Sequence, residues 1–310
     1  MQDLEAAITR SEAAVQATPE DHPDRAGRLS NLGAHFSSRY ERTGNMQDLE
    51  AAITRSEAAV QATPEDHPGR AAMLSNLGHW LSRRYERTGN MQDLEAAFNA
   101  WWSSWSMFNA PALLRLQAAS NAANILVSIP LLKDLSRACS LLRDDIHLLP
   151  LVTSRSLHRD DQQHILAQLT GLASFAASVS LEVAEPPLEA LRLLELGRSM
   201  TNSQLLDYRT DISDLMEHYP MLAHNFDSLR LELDSPIPSI PLDMPANQKV
   251  WAQQSAVHRR NKVAQDLDHV LLEIRQKHAF RHFLLAESEE YFLSAAQEGP
   301  IVVLSVTTPQ

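Results

Sequence analysis

Cys139 is the only cysteine in the chain, and a thiol nucleophile needs a nearby His and surroundings that lower its pKa. Its context, SRACSLLRD, supplies neither and reads as an amphipathic helix, so Cys139 is expected to be a buried structural thiol. His158, Asp160, Asp161 and His164 carry metal-ligating groups within a short stretch. Asp160 and His164 are spaced to share a helical face, but His158 is not. An Asp in the first turn of a helix explains the acidic pair more simply. Phe98, Trp101, Trp102, Trp105 and Phe108 recur at helical spacing; core packing is the first expectation for such a stripe, and a partner anchor the second. GxSxG, HExxH, CxxC and a glycine-rich phosphate loop are all absent, and the chain has only nine glycines. The residues therefore point to no catalytic chemistry, no cofactor and no metal.

Composition narrows the classes further. The 310 residues are 44% apolar, as in a folded protein, and 39 acidic against 27 basic side chains leave a net charge of -12. Nucleic acid and anionic membranes are bound by clustered Lys and Arg, so neither is an expected partner. No run reaches the ~20 apolar residues of a membrane span. The N-terminus, MQDLEAAITRSE, has no basic and apolar leader, and a lone thiol suits a reducing compartment. A cytoplasmic location is expected.

The elements that must position any site are written in a repeat. Residues 1–45 and 46–90 both read MQDLEAAITRSEAAVQATPEDHP-x-RA-x-x-LSNLG-x-x-x-S-x-RYERTGN, and MQDLEAAF opens again at Met91. Self-similarity at such a period marks a stacked array in which each unit packs on its neighbours. His22-Pro23 starts a helix. Ala26, Leu29, Gly33, Phe36 and Tyr40 form its apolar stripe, and Gly44 ends it. Asn45 caps a second helix with Asp48 in its first turn. Leu49, Ala52, Ile53, Ser56, Ala59 and Val60 share one face of that helix, and Thr63-Pro64 closes it. Each unit is thus an antiparallel helix pair.

Leu32-Gly33, Ala52, Ala59 and Pro64 fall at the landmarks of a tetratricopeptide repeat, which the unit resembles over residues 1–98, with longer helices than usual. Further helices are predicted at about 91–107, 111–129, 131–146, 159–182, 187–208, 211–232, 247–278 and 287–297. IVVLSV at 301–306 reads as a lone β-strand. HRDDQQHIL, GLASFAAS, LLELGRSMTNSQLLDYRTDISDL and LDHVLLEIRQKHAFRHFLLAESEEYFLSAAQEGPIVVLSV, in that order, resemble the segment that joins tetratricopeptide arrays to a caspase-like CHAT domain in fungal proteins. That resemblance implies an all-α superhelix. Repeats would span 1–107, degenerate repeats 108–232, a Pro-rich linker 233–246 and a helical lead-in 247–298. The first strand of a CHAT domain would fall at 299–310. The family's catalytic His and Cys lie beyond that strand, so no residue here inherits either role. The chain is accordingly expected to be a fragment, opening midway through a helix pair at Met1.

The two full repeats differ at seven positions, Asp24/Gly69, Gly27/Ala72, Arg28/Met73, Ala34/His79, His35/Trp80, Phe36/Leu81 and Ser38/Arg83, all in the first helix. Positions 24, 28, 35 and 38 run along one face with the invariant Asn31. In tetratricopeptide arrays the first helices line the concave groove that receives an extended peptide. Asn31, His35, Ser38, Met73, Asn76, Trp80 and Arg83 are therefore the candidate partner-binding residues. Clustered drift after a recent duplication is the alternative explanation. The functional expectation is a non-catalytic scaffold that recruits a protein or extended peptide. The alternative is the regulatory arm of a caspase-like cysteine peptidase.

Overall fold

The computed structural model describes residues 2–152, 159–197, 212–235, 245–281, 283–284, 292–294, 296–297, 299 and 302–303. Every regular element among them is helical. The chain divides between Asp145 and Ile146 into two compact units.

The first unit contains α1 (Gln2–Gln16), α2 (Arg25–Thr43), α3 (Met46–Gln61), α4 (Arg70–Thr88), α5 (Met91–Trp105) and α6 (Ala112–Ser128), and nearly all of α7 (Leu135–Ile146). Packing is most extensive between α2 and α3 and between α4 and α5; α1 against α2 and α3 against α4 join these pairs. The expected stripe is inside: Ala26, Leu29, Gly33, Phe36 and Tyr40 are all buried. So are Leu49, Ala52, Ile53, Ser56 and Ala59, while Val60, expected on the same face, is only half-buried. Gly44 and Gly89 end their helices in the left-handed region (φ 69° and 68°), a conformation that costs glycine no Cβ clash. Asn45 and Asn90 each accept a hydrogen bond from the amide two residues on, which caps α3 and α5.

Asp48 does more than face a helix dipole. Its carboxylate accepts both Nε and Nη2 of Arg39, at 2.9 and 2.6 Å, across the α2–α3 pair. Arg84 repeats this fork on Asp93 at 3.0 and 2.6 Å and reaches Glu50 with Nη1 at 2.7 Å. The forked geometry suits the planar guanidinium, and the Asp48 and Asp93 carboxylates are almost wholly buried. Arg25 and Arg70 reach back to backbone carbonyls of Val15 and Thr18, and of Val60 and Thr63. They thereby satisfy acceptors left open where the preceding helix ends.

The second unit holds α8 (Leu149–Val152), α9 (Arg159–Gln168), α10 (Leu172–Glu182), α11 (described over 187–197), α12 (Ser213–His218), α13 (Pro220–Asp234) and α14 (Ala246–Arg275). One of its clusters packs Leu215, Phe226, Leu267, Leu271 and Ile274 between α12, α13 and α14.

Three predicted helices are broken. The helix expected over 131–146 begins only at Leu135, after a 3-10 turn at Pro130–Leu132, because Asp134 caps it by accepting from the Arg137 amide at 2.9 Å. That over 159–182 is interrupted at Gly171, whose φ of 89° leaves the right-handed helix. That over 211–232 stops at Tyr219, since Pro220 has no N–H to continue it. Of the predicted strand 301–306, only Val302 and Val303 are described, and neither is in a strand; the rest lies outside the described residues. So do 198–208 of the helix expected at 187–208, residues 236–244 of the linker, and His158.

Candidate partner-binding surface

The seven variable positions do not share one environment. Arg28 donates to Thr18 Oγ1 at 2.7 Å and to the Ala14 carbonyl at 3.3 Å, both at the end of α1. Its equivalent, Met73, takes Thr63 Oγ1 on its sulfur at 3.0 Å. His35 meets Ser11 of α1 through Nδ1 at 3.1 Å. Its equivalent, Trp80, packs with Met73 against the cluster that contains Leu29, Leu32, Phe36, Ala52 and Ala59. Positions 28/73 and 35/80 therefore form the seam with the preceding helix. One seam is polar and the other apolar, although the preceding helices have identical sequences over 1–16 and 46–61.

The remaining candidates are placed differently. Asn31 is exposed, and its amide has no partner in the described chain. Ser38 and Asn76 are half-buried. Arg83 is exposed and pairs with Glu86 one turn away at 3.0 Å, a contact worth little in water.

Beside the polar seam lies a cavity of about 460 Å³ between the start of α2 and the α3–α4 connection. Two candidates, Asn31 and Met73, line it. Asp24 and Arg28 of the same varied face also line it, and the structure adds Pro64 and His67 of the α3–α4 connection, which the spacing along one helix did not reveal. Three of the varied positions, Asp24, Gly27 and Arg28, together with Met73, thus converge on one concavity. The Arg28 cation is already engaged by Thr18 and Ala14 and sits 3.9 Å from Asp24. The Asn31 amide, with one donor side and one acceptor side, is the polar group left to an incoming chain. His35, Ser38, Asn76, Trp80 and Arg83 lie outside the lining.

The other constellations are placed as follows. Cys139 is buried on α7, with Arg143 Nη2 at 3.9 Å from its sulfur. His164 on α9 contacts Gln168 at 2.8 Å, and no cluster of three potential metal ligands exists among the described residues. Trp101 is buried against Gly78, with the His79 ring edge-on at 5.3 Å. Phe98 and Trp102 stack at 6.0 Å beneath Arg137, whose guanidinium is 4.0 Å from the Trp102 ring centre. Trp105 and Phe108 flank Arg115 at 4.7 and 4.8 Å. The aromatic stripe thus divides between core packing and two cation–π clusters. Phe108 remains 84% exposed.

Asp145, at the end of the first unit, is completely buried, and neither carboxylate oxygen has a hydrogen-bond partner. Burial raises its pKa well above the ordinary carboxylate value, against a smaller opposing pull from Arg115.

Among the described residues, no helix is long and apolar enough to cross a membrane. No protein-family model matches the chain, and no curated protein matches it significantly.

Proposed function

We propose that this chain is a non-catalytic interaction module in which the α2–α4 concavity receives an extended segment of another protein. The observation that carries the reading is the unpartnered Asn31 amide at a concavity lined by residues from three of the seven positions that distinguish otherwise identical repeats. An amide can pair with both a backbone N–H and a carbonyl, and Met73, Pro23 and Pro64 offer apolar surface to a side chain. The acidic net charge favours basic clients. A stack of tetratricopeptide-like pairs would hold such a client without altering it, and recruitment is the mechanism.

The test is a displayed random-peptide library panned against the chain, with selected peptides titrated by fluorescence anisotropy. Binding is expected to fall at least about tenfold in Asn31→Ala and in Met73→Glu, the loss of one hydrogen-bonding group or of the apolar wall. Peptides that bind both variants as tightly as the parent chain would place recognition elsewhere.

A further inference from the structure

The concavity between the start of α2 and the α3–α4 connection joins an apolar floor to two acidic rims. Pro23, Pro64 and Met73 supply apolar surface, and a Cβ on Gly27 would meet nothing within 4 Å, so the floor has room for a side chain. The loop that leads into α2 carries Glu20 and Asp21, and the α3–α4 connection carries Glu65 and Asp66. All four are exposed, and among the described residues none is in an ion pair. Asp24 adds a fifth acid on the first wall, 3.9 Å from Arg28.

The nearby cations are bonded within the chain. Arg28 is held by Thr18 and the Ala14 carbonyl, Arg25 by the Val15 and Thr18 carbonyls, and Arg70 by the Val60 and Thr63 carbonyls. His22 and His67 accept the Asp24 and Gly69 amides on Nδ1, at 3.1 and 3.0 Å, a bond that only an unprotonated nitrogen makes. Met73 stands on the second wall where the first repeat has Arg28, so that wall gains no cation there. Five carboxylates against three arginines leave the two walls net negative.

Resting on the recruitment of an extended segment at this concavity, we propose that the client is basic and has the form cation–x–apolar–x–cation. The central apolar side chain fills the floor between Pro23, Pro64 and Met73, and a Lys or Arg on each side of it reaches the carboxylates of one wall. Alternate side chains of an extended chain share a face about 7 Å apart, and packed helices lie about 8–10 Å apart. Residues two before and two after the central one therefore stand over the rims of the two repeats. Cations directly beside the apolar residue would point away from both. Exposed ion pairs are individually weak, so the filled floor holds the client and the charges select it.

The probe is a fluorescein-labelled peptide, Gly-Lys-Ser-Leu-Ser-Lys-Gly, titrated with the 310-residue chain and read by anisotropy. Saturable binding is expected, and it should weaken severalfold between about 0.05 and about 0.5 M salt. Glu20→Gln with Asp21→Asn, and Glu65→Gln with Asp66→Asn, should each weaken it about threefold, and all four together about tenfold. Gly27→Leu, which fills the floor, should abolish it without lowering the melting temperature. Glu41→Gln with Glu95→Gln removes charge at the opposite end of the helix pairs and should leave binding unchanged. Replacing both lysines of the peptide by Glu should cost at least about tenfold, and moving them next to the leucine about threefold. Absence of saturable binding overturns the proposal, and so does equal binding of the Lys and Glu peptides. An equal loss in the Glu41, Glu95 variant also overturns it, because net charge alone would then explain the attraction. Peptides selected from the random library separate this client from recruitment itself. If they weaken in Asn31→Ala yet bind the four-carboxylate variant as tightly as the parent chain, recruitment stands and the basic client falls. If none depends on Asn31 or Met73, both fall.

Discussion

Three glycines in the first helices of the repeats test whether packing is set by the repeat or by what each repeat meets. Gly27 has nothing within 4 Å of where a Cβ would stand, and the equivalent residue is Ala72. Gly27→Ala should therefore stabilise by about 0.5–1 kcal/mol, the gain in helix propensity. At Gly33 the added methyl would meet Ser56 Oγ, which can rotate, and the Ala52 carbonyl, which cannot. A shift of a few tenths of an ångström there roughly cancels the same gain, and Gly33→Ala should be near neutral. At Gly78 the methyl would fall 2.7–2.8 Å from Nε1, Cδ1 and Cε2 of Trp101, a side chain only 4% exposed. Moving a packed indole costs about 1–3 kcal/mol. Less the propensity gain, the net loss is about 1–2 kcal/mol, or about 2–8 °C in melting temperature. Urea unfolding followed by tryptophan fluorescence reports mainly on the first unit, because Trp80, Trp101, Trp102 and Trp105 are there. If Gly78→Ala proves as stable as Gly33→Ala, Trp101 is not pinned against α4 and the reasoning fails.

Arg39→Ala should cost about 2–3 kcal/mol, because it strands the nearly buried Asp48 carboxylate, and Arg39→Ala with Asp48→Ala should recover part of that in a double-mutant cycle. Trp80→Ala should cost roughly 2–4 kcal/mol in urea unfolding, and His35→Ala less than about 1, since one fills an apolar seam and the other holds a single polar contact. Asp145 gives a pH dependence of definite sign. Its folded-state pKa lies above the unfolded one, so the folded chain binds the extra proton and stability falls as pH rises from the ordinary carboxylate range through the raised pKa. Asp145→Asn should flatten that decline and be the more stable form in melting curves near pH 8; an unchanged slope would show that Asp145 is not its source.

The repeat settled much on its own. The turns at Gly44 and Asn45 and the apolar stripe of α2 and α3 follow from local rules, because capping and helical periodicity depend on residues a few positions apart. The same local rules failed where a single residue overrode a favourable stretch, at Asp134, Gly171 and Pro220. What no reading along the chain could supply was the contact partner of each face. Spacing put Asn31, His35 and Trp80 on one stripe, and it is the packing of α1 and α3 that divides them between a concavity and two seams of opposite polarity. Asp3 and Asp48 have identical neighbours over sixteen positions, yet one is exposed and the other is locked to Arg39. A sequence fixes which surface a helix presents; burial also needs the second surface, and that is a property of the assembled helices.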